Sequence, residues 1–211
     1  MPIRAVVFDI GGVLELTDPG LLARIWEPRL GLSPGRLGAQ LAEVAAAGAV
    51  GTISEQQAGQ RIAEILGLDD RQLGEFLADL WTEYLGTLNT ELAGYFASLR
   101  PRYRTGIISN SFVGARDREQ QRYGFGDMTD LIVYSHEAGM SKPDPRIYQL
   151  ACDGLGVPAA DMVFLDDVLE NVTAARQAGM QGVLFEDTGQ AIADIQALLA
   201  LPFADPTGLS G

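Results

Sequence analysis

The stretch RAVVFDIGG, residues 4–12, decides the fold. It is a short apolar run rich in β-branched residues, stopped by Asp9 and the pair Gly11-Gly12. An apolar run of this length, closed by a turn signal, reads as a buried parallel strand followed by a tight loop. Similar runs follow at 105–109 (TGIIS), 131–135 (LIVYS) and 162–165 (MVFL), with a weaker one at 182–185. Helix-like segments fall at 111–123, 144–154, 168–178 and 188–200. Strands alternating with helices predict an α/β fold: a Rossmann-like parallel sheet with helices on both faces.

Residues 17–87 break the alternation. They are rich in Ala, Leu, Glu and Gln, and carry helical periodicity at 19–30, 34–48, 54–66 and 70–85, punctuated by Pro19-Gly20, Gly31, Ser33-Pro34, Gly51 and Gly67. No strand is expected there. The division predicted is a core of residues 1–16 and 88–211 with a four-helix insertion at 17–87, and a helix at 88–100 returning to the core. The tail 202–211, with its Pro, Gly, Asp and Ser, is expected to fray.

The 211 residues are 47% hydrophobic and carry a formal net charge of −13. So acidic a surface excludes nucleic acid and anionic membrane as default partners. It also obliges any phosphate site to create its positive potential locally. The single cysteine, Cys152, permits no intrachain disulfide and reads as a small apolar residue on a helix face. The apolar run Ala5 to Phe8 is too short for a leader or a membrane span, so a cytoplasmic protein is expected.

Ligands of open α/β sheets bind beyond the carboxyl ends of the strands. Those ends hold Asp9, Ser109-Asn110, Asp166-Asp167 and, at the close of the loop after the third strand, Lys142. Clustered carboxylates repel unless a cation joins them, and a hard cation such as Mg2+ takes oxygen ligands and bridges to phosphate. Asp9 is then able to give one oxygen to the metal and use the other as a nucleophile. Ser109, Asn110 and neighbouring backbone amides, Gly12 among them, are expected to bind the phosphoryl oxygens, with Lys142 adding positive charge.

FDIGGVL (8–14), ISNS (108–111), SKPDPRIY (141–148) and FLDDVLENVTAARQAGM (164–180) resemble, in order, the four signature segments of the haloacid dehalogenase superfamily. The resemblance covers nearly all of the chain outside 17–87, where that family places a helical cap. It implies an aspartyl-phosphate on Asp9, a metal held by Asp9, the Gly11 carbonyl, Asp167 and Asp166, a phosphate-binding Ser109 beside Asn110, the motif lysine at Lys142, and a polar partner at Asn171. The expected activity is that of a Mg2+-dependent phosphoric monoester hydrolase, monomer or homodimer, acting on a small phosphorylated metabolite.

One position departs. The family's phosphatases carry a second Asp two residues after the nucleophile, where this chain has Gly11. That general acid is worth about 10²–10⁴-fold in rate. Substitution by Glu15, Glu137 or His136, by solvent, or by a cap residue is one explanation; a substrate with a good leaving group is another. Two alternatives follow from the same gap: a 2-haloacid dehalogenase, whose leaving halide needs no proton, and a catalytically impaired binding protein on the same fold. For the former, Arg24, Trp26, Arg29, Trp81 and Tyr84 are the cap residues of suitable type, although amphipathic packing accounts for them. A mutase ranks lower, because it relies on the missing acid.

Overall fold

The computed structural model describes residues 2–200. In chain order the elements are β1 (Ala5–Phe8), β2 (Glu15–Leu16), α1 (Leu21–Arg29), α2 (Arg36–Ala49), α3 (Glu55–Leu66), α4 (Asp70–Leu85), β3 (Thr87–Leu88), α5 (Thr90–Ser98) and β4 (Arg104–Ser109). There follow α6 (Ala115–Tyr123), α7 (Phe125–Met128), β5 (Leu131–Tyr134), α8 (Ser135–Ala138), α9 (Pro145–Leu155), β6 (Met162–Asp166), α10 (Leu169–Gln177), β7 (Gln181–Leu184) and α11 (Thr188–Leu199).

Five strands form one parallel sheet in the order β5-β4-β1-β6-β7. The chain winds outward from β1 through β4 and β5, then returns to the other side for β6 and β7. β1 is therefore the central strand, at the point where the winding reverses, and crevices open beyond strand carboxyl ends at such a point. All four residues of β1 are fully buried because both sheet faces are covered. Val6 and Phe8 pack with Ile107 and Leu165 on one face, whereas Ala5 and Val7 pack with Ile108 and Phe164 on the other. The alternating α/β expectation is met.

The helices of 21–85 enclose an apolar cluster of their own, centred on Trp26, Val44, Ile62 and Phe76. Ser54 with Gln57 and Asp69 with Gln72 form reciprocal caps that set where α3 and α4 begin. The insertion leaves and rejoins the core through a small antiparallel ribbon, β2 against β3, with Glu15 opposite Leu88 and Leu16 opposite Thr87. The sequence did not predict this ribbon: two residues a side are too few to show a period of two. Residues 111–114, predicted as the start of a helix, are instead a loop ahead of α6, and α8 follows β5 directly. The expected frayed tail, 202–211, lies outside the described residues. No helix among the described residues is long and apolar enough to cross a membrane.

Candidate active site

Four segments deliver polar groups to one edge of the sheet. Asp9 follows β1, Ser109 ends β4, Asp166 ends β6 with Asp167 after it, and Lys142 lies on the loop ahead of α9. Lys142 is the only lysine in the chain. Its side chain is fully buried, with Nζ 2.6 Å from Asp9 Oδ1 and 2.7 Å from Asp166 Oδ2. An ammonium so far from water is held only by close opposite charge. The loop that carries it is pinned from β4. Asn110 Nδ2 donates to the Lys142 carbonyl at 2.9 Å, and the Lys142 N–H donates to Asn110 Oδ1 at 2.7 Å.

Asp166 is fully buried and fully engaged. Besides Lys142 it accepts from the Val168 N–H at 2.8 Å and from Asn171 Nδ2 at 3.0 and 3.2 Å. Asn171 thus orients Asp166 from the next helical turn. Asp167, in contrast, is exposed. Even so, the part of its carboxyl turned inward loses water, and with the adjacent Asp166 this raises its pKa. Asp9 is 6% exposed, and burial raises its carboxyl too, with the Lys142 ammonium pulling back and Asp166 adding to the rise. The Ile10 N–H, at 2.7 Å, and Lys142 both meet Asp9 at Oδ1, so neither contact uses Oδ2.

Carboxylate oxygens of Asp9, Asp166 and Asp167 lie within 4.8 Å of one another. Three carboxylates against one ammonium leave a formal excess of two negative charges. An all-oxygen donor set with that excess fits a hard divalent cation. The loop after β1 is shaped to admit it: a Cβ at Gly12, where φ is +79°, would lie 2.2 Å from Asp167 Oδ2.

Two expectations need revising. Gly12 was expected at the substrate, but its N–H donates to the Glu15 carbonyl at 2.8 Å. What the missing Cβ gives is room for Asp167. Asn110 was expected to bind phosphate through its amide, but both arms of that amide hold the Lys142 main chain. Gly11 is exposed, its φ is not in the left-handed region, and a Cβ there would meet nothing within 4 Å. Glycine at this position is therefore not imposed by crowding.

Of the three residues considered as replacements for the missing acid, Glu137 is exposed and bridged to Arg116 at 2.5 and 2.6 Å. His136 Nδ1 is 2.6 Å from Ser111 Oγ, and burial lowers its pKa. Only Glu15 lines the cavity that also exposes Gly11 and Ser109, a space of about 240 Å³ whose wall includes Tyr84 and Glu119. Glu15 and Glu119 are 1% and 0% exposed, and one carboxyl oxygen of each has no hydrogen-bond partner among the described residues. Burial pushes Glu15 up to about 9 and Glu119 up to about 7. Tyr134 donates its hydroxyl to Glu119. Sequence reasoning missed Glu119, because α6 (ARDREQQRY) is polar almost throughout and has no apolar stripe to mark its buried face.

Four of the five cap residues of dehalogenase type are committed elsewhere. Arg24 pairs with Asp18, Trp26 packs on Phe76 and donates to Asp79, Arg29 lies over Trp26, and Arg118 lies over Trp81. Tyr84 alone faces the cavity.

The model of the haloacid dehalogenase-like hydrolase family matches residues 3–179. A Mycobacterium tuberculosis phosphatase is 36% identical over 89 residues, 41% of this chain and 41% of that protein. The chain thus spans less than half the length of that relative, and the match to the rat bifunctional epoxide hydrolase 2, 27% identical, covers 22% of that protein. N-acetylmuramic acid 6-phosphate phosphatase of Pseudomonas aeruginosa is 28% identical over 85% of this chain and 80% of its own. Among solved structures, a haloacid dehalogenase family enzyme of Bacteroides thetaiotaomicron in complex with magnesium and inorganic phosphate superposes with a TM-score of 0.75. It is 21% identical, covering 88% of this chain and 96% of that one. A 2-haloacid dehalogenase of Pseudomonas syringae gives 0.65 at 20% identity, over 94% and 98%. At these identities the structural likeness is one of fold.

Proposed function

The chain belongs to the haloacid dehalogenase-like hydrolases, and from that premise we propose that it hydrolyses phosphate monoesters of small metabolites through a covalent intermediate on Asp9. One observation carries the proposal. Asp9 is buried beside Asp166 and Asp167 with Lys142 clamped to Oδ1, which leaves Oδ2 free to attack. Mg2+ would be held by Asp9, Asp167 and the Gly11 carbonyl, with Asp166 behind them. Once bound, it supplies the positive charge that lets a carboxylate approach a phosphate dianion.

Asp9 Oδ2 attacks phosphorus, the bond from phosphorus to the ester oxygen breaks, and the leaving oxygen carries away the electron pair. Water then attacks the phosphorus of the aspartyl-phosphate, releasing inorganic phosphate and restoring the carboxylate; the proton this water gives up balances the one the departed oxygen takes from solvent. Ser109 and backbone N–H groups hold the phosphoryl oxygens, Lys142 stabilises their charge, and Asn110 and Asn171 keep Lys142 and Asp166 in place. Gly11 gives the leaving oxygen no proton, so rates fall steeply as the leaving group becomes less acidic. The helices of 21–85 act as a cap over the site.

The test is turnover of acetyl phosphate and 4-nitrophenyl phosphate with Mg2+, comparing wild type with Asp9→Asn. Loss of a nucleophile costs roughly 10⁴–10⁶-fold, and Asp9→Asn activity close to wild type overturns the proposal. Gly11 also favours a second reading, carbon–halogen hydrolysis by the same Asp9. Halide release from a 2-haloacid in the presence of a chelator would establish it. The proposed phosphatase gives none.

A further inference from the structure

A second cavity, of about 330 Å³, lies beside the one that holds Gly11 and Ser109, and the two share Glu83, Tyr84 and Asn110 as a common wall. All four insertion helices and the loop after β4 enclose it. Its remaining surface is apolar, from Leu22, Leu41, Val44, Ile62, Leu80 and Phe112. Among the described residues, no Arg, Lys or His lines it.

Its few polar side chains already hold parts of the fold together. Glu83 accepts from the Gly20 N–H at 3.1 Å with one oxygen and from the Leu22 N–H with the other, closing an α1 terminus that has no side-chain cap of its own. Tyr84 takes the Phe112 N–H at 3.3 Å, Ser111 meets His136, and Asn110 holds Lys142. A sugar, a nucleobase or a second phosphate entering here would surrender its hydrogen bonds to water and find few in exchange, chiefly the spare lone pairs of Glu83, which costs affinity for each unmatched group. An apolar group has no such loss, and the volume falls at the small end of ligand pockets.

We propose that this cavity receives the part of the substrate beyond the ester oxygen, and that it selects phosphate esters whose leaving group is an aryl or short alkyl-aryl body rather than a sugar or nucleoside. The inference rests on the phosphomonoesterase proposal and narrows its substrate class.

The experiment is a series of 4-alkylphenyl phosphates, methyl to hexyl, with Mg2+. Their leaving groups are nearly equal in acidity, so only apolar size varies. Expected is a rise in kcat/KM of about fourfold per added methylene over the first few, the factor that ~0.8 kcal/mol per buried CH2 corresponds to, then a plateau as the cavity fills. Ala45, an exposed residue on its rim, is replaced in Ala45→Trp, which should bring the ratio of long to short esters back towards one at an unchanged melting temperature. Binding is measured separately by calorimetry, titrating 4-pentylphenol into the Asp9→Asn protein. A saturable one-to-one site, lost when Ala45→Trp is added, supports the cavity whatever the turnover. Acetyl phosphate hydrolysis with a flat alkyl series, equal rates on glucose 6-phosphate, or no phenol binding would overturn the inference while leaving the phosphatase standing. No turnover of any ester alongside intact phenol binding would sink the phosphatase and spare the cavity.

Discussion

Two groups of buried carboxylates share one end of the sheet and are neutralised by different means. Asp9 and Asp166 clamp the ammonium of Lys142 between them, with Asp167 beside them at the surface. Glu15 and Glu119, across the loop after β1, have no ion-pair partner among the described residues. Arg122 acts on Glu15 and Arg116 on Glu119 only from a distance, and Glu119 accepts from the hydroxyl of Tyr134. The first group shares a buried ammonium that pulls back against the rise burial causes in Asp9; the second has no such charge, and burial raises both of its carboxyls. Burial without a counter-charge leaves a carboxyl no other course than to keep its proton. An acidic protein can thus place two carboxylate clusters side by side and give them opposite characters.

Gly11 lies between the two, and filling it should give the largest effect. Gly11→Asp puts a third kind of carboxyl in a space with no steric obstacle, where acidic neighbours raise its pKa towards that of a proton donor. On phenyl phosphate, whose leaving group needs a proton, kcat should rise by about 10²–10⁴-fold, and the dependence on leaving-group acidity should flatten. No gain on poor leaving groups would mean that another donor, Glu15 foremost, already serves.

Removing the cation of the first group comes next. Lys142→Met leaves Asp9 and Asp166 uncompensated, and denaturant unfolding in a chelator should show a loss of roughly 3–5 kcal/mol. Added Mg2+ should restore more stability to this variant than to wild type. Equal stability in the chelator would show that the two carboxyls are held by protons after all, and the contrast between the groups would vanish.

The smallest effect concerns the second group. Glu119 and Glu15 have folded-state pKa values raised to about 7 and about 9 from a usual 4.5. The folded protein therefore binds more protons than the unfolded chain between those limits. Stability is fully present below pH 4.5 on this account, and falls as pH rises through about 7 and then about 9. Glu119→Gln should remove the first step and gain on the order of 1–3 kcal/mol above pH 7, read as melting temperature against pH. A variant that loses stability equally across the range would show Glu119 ionised and usefully bonded.

The legible part of the site was the part that sits on strand ends. Asp9, Ser109, Asp166 and Asp167 were found because an apolar run that halts at a polar residue marks both a strand and its carboxyl end. Lys142 was found through its motif and its place ahead of a helix. Asn171 was visible only as a helix-face amide, and its bond to Asp166 is the tertiary fact that explains it. Glu119 was invisible. So was the division of labour in which Asn110 and Gly12 serve the positions of Lys142 and Asp167.

By itself, the order of apolar runs and helical periods determined the parallel sheet, its two covered faces and the four-helix insertion, because these depend on periodicity and burial along the chain. Tertiary structure alone decided which polar groups are spent on one another and which are left free. It also placed the buried pair Glu15 and Glu119 next to the three clustered aspartates, and gave the insertion an apolar cavity beside the one that Gly11 and Ser109 line. Hydrogen-bond partners and local dielectric are set by residues remote in sequence, so neither can be read from any one segment.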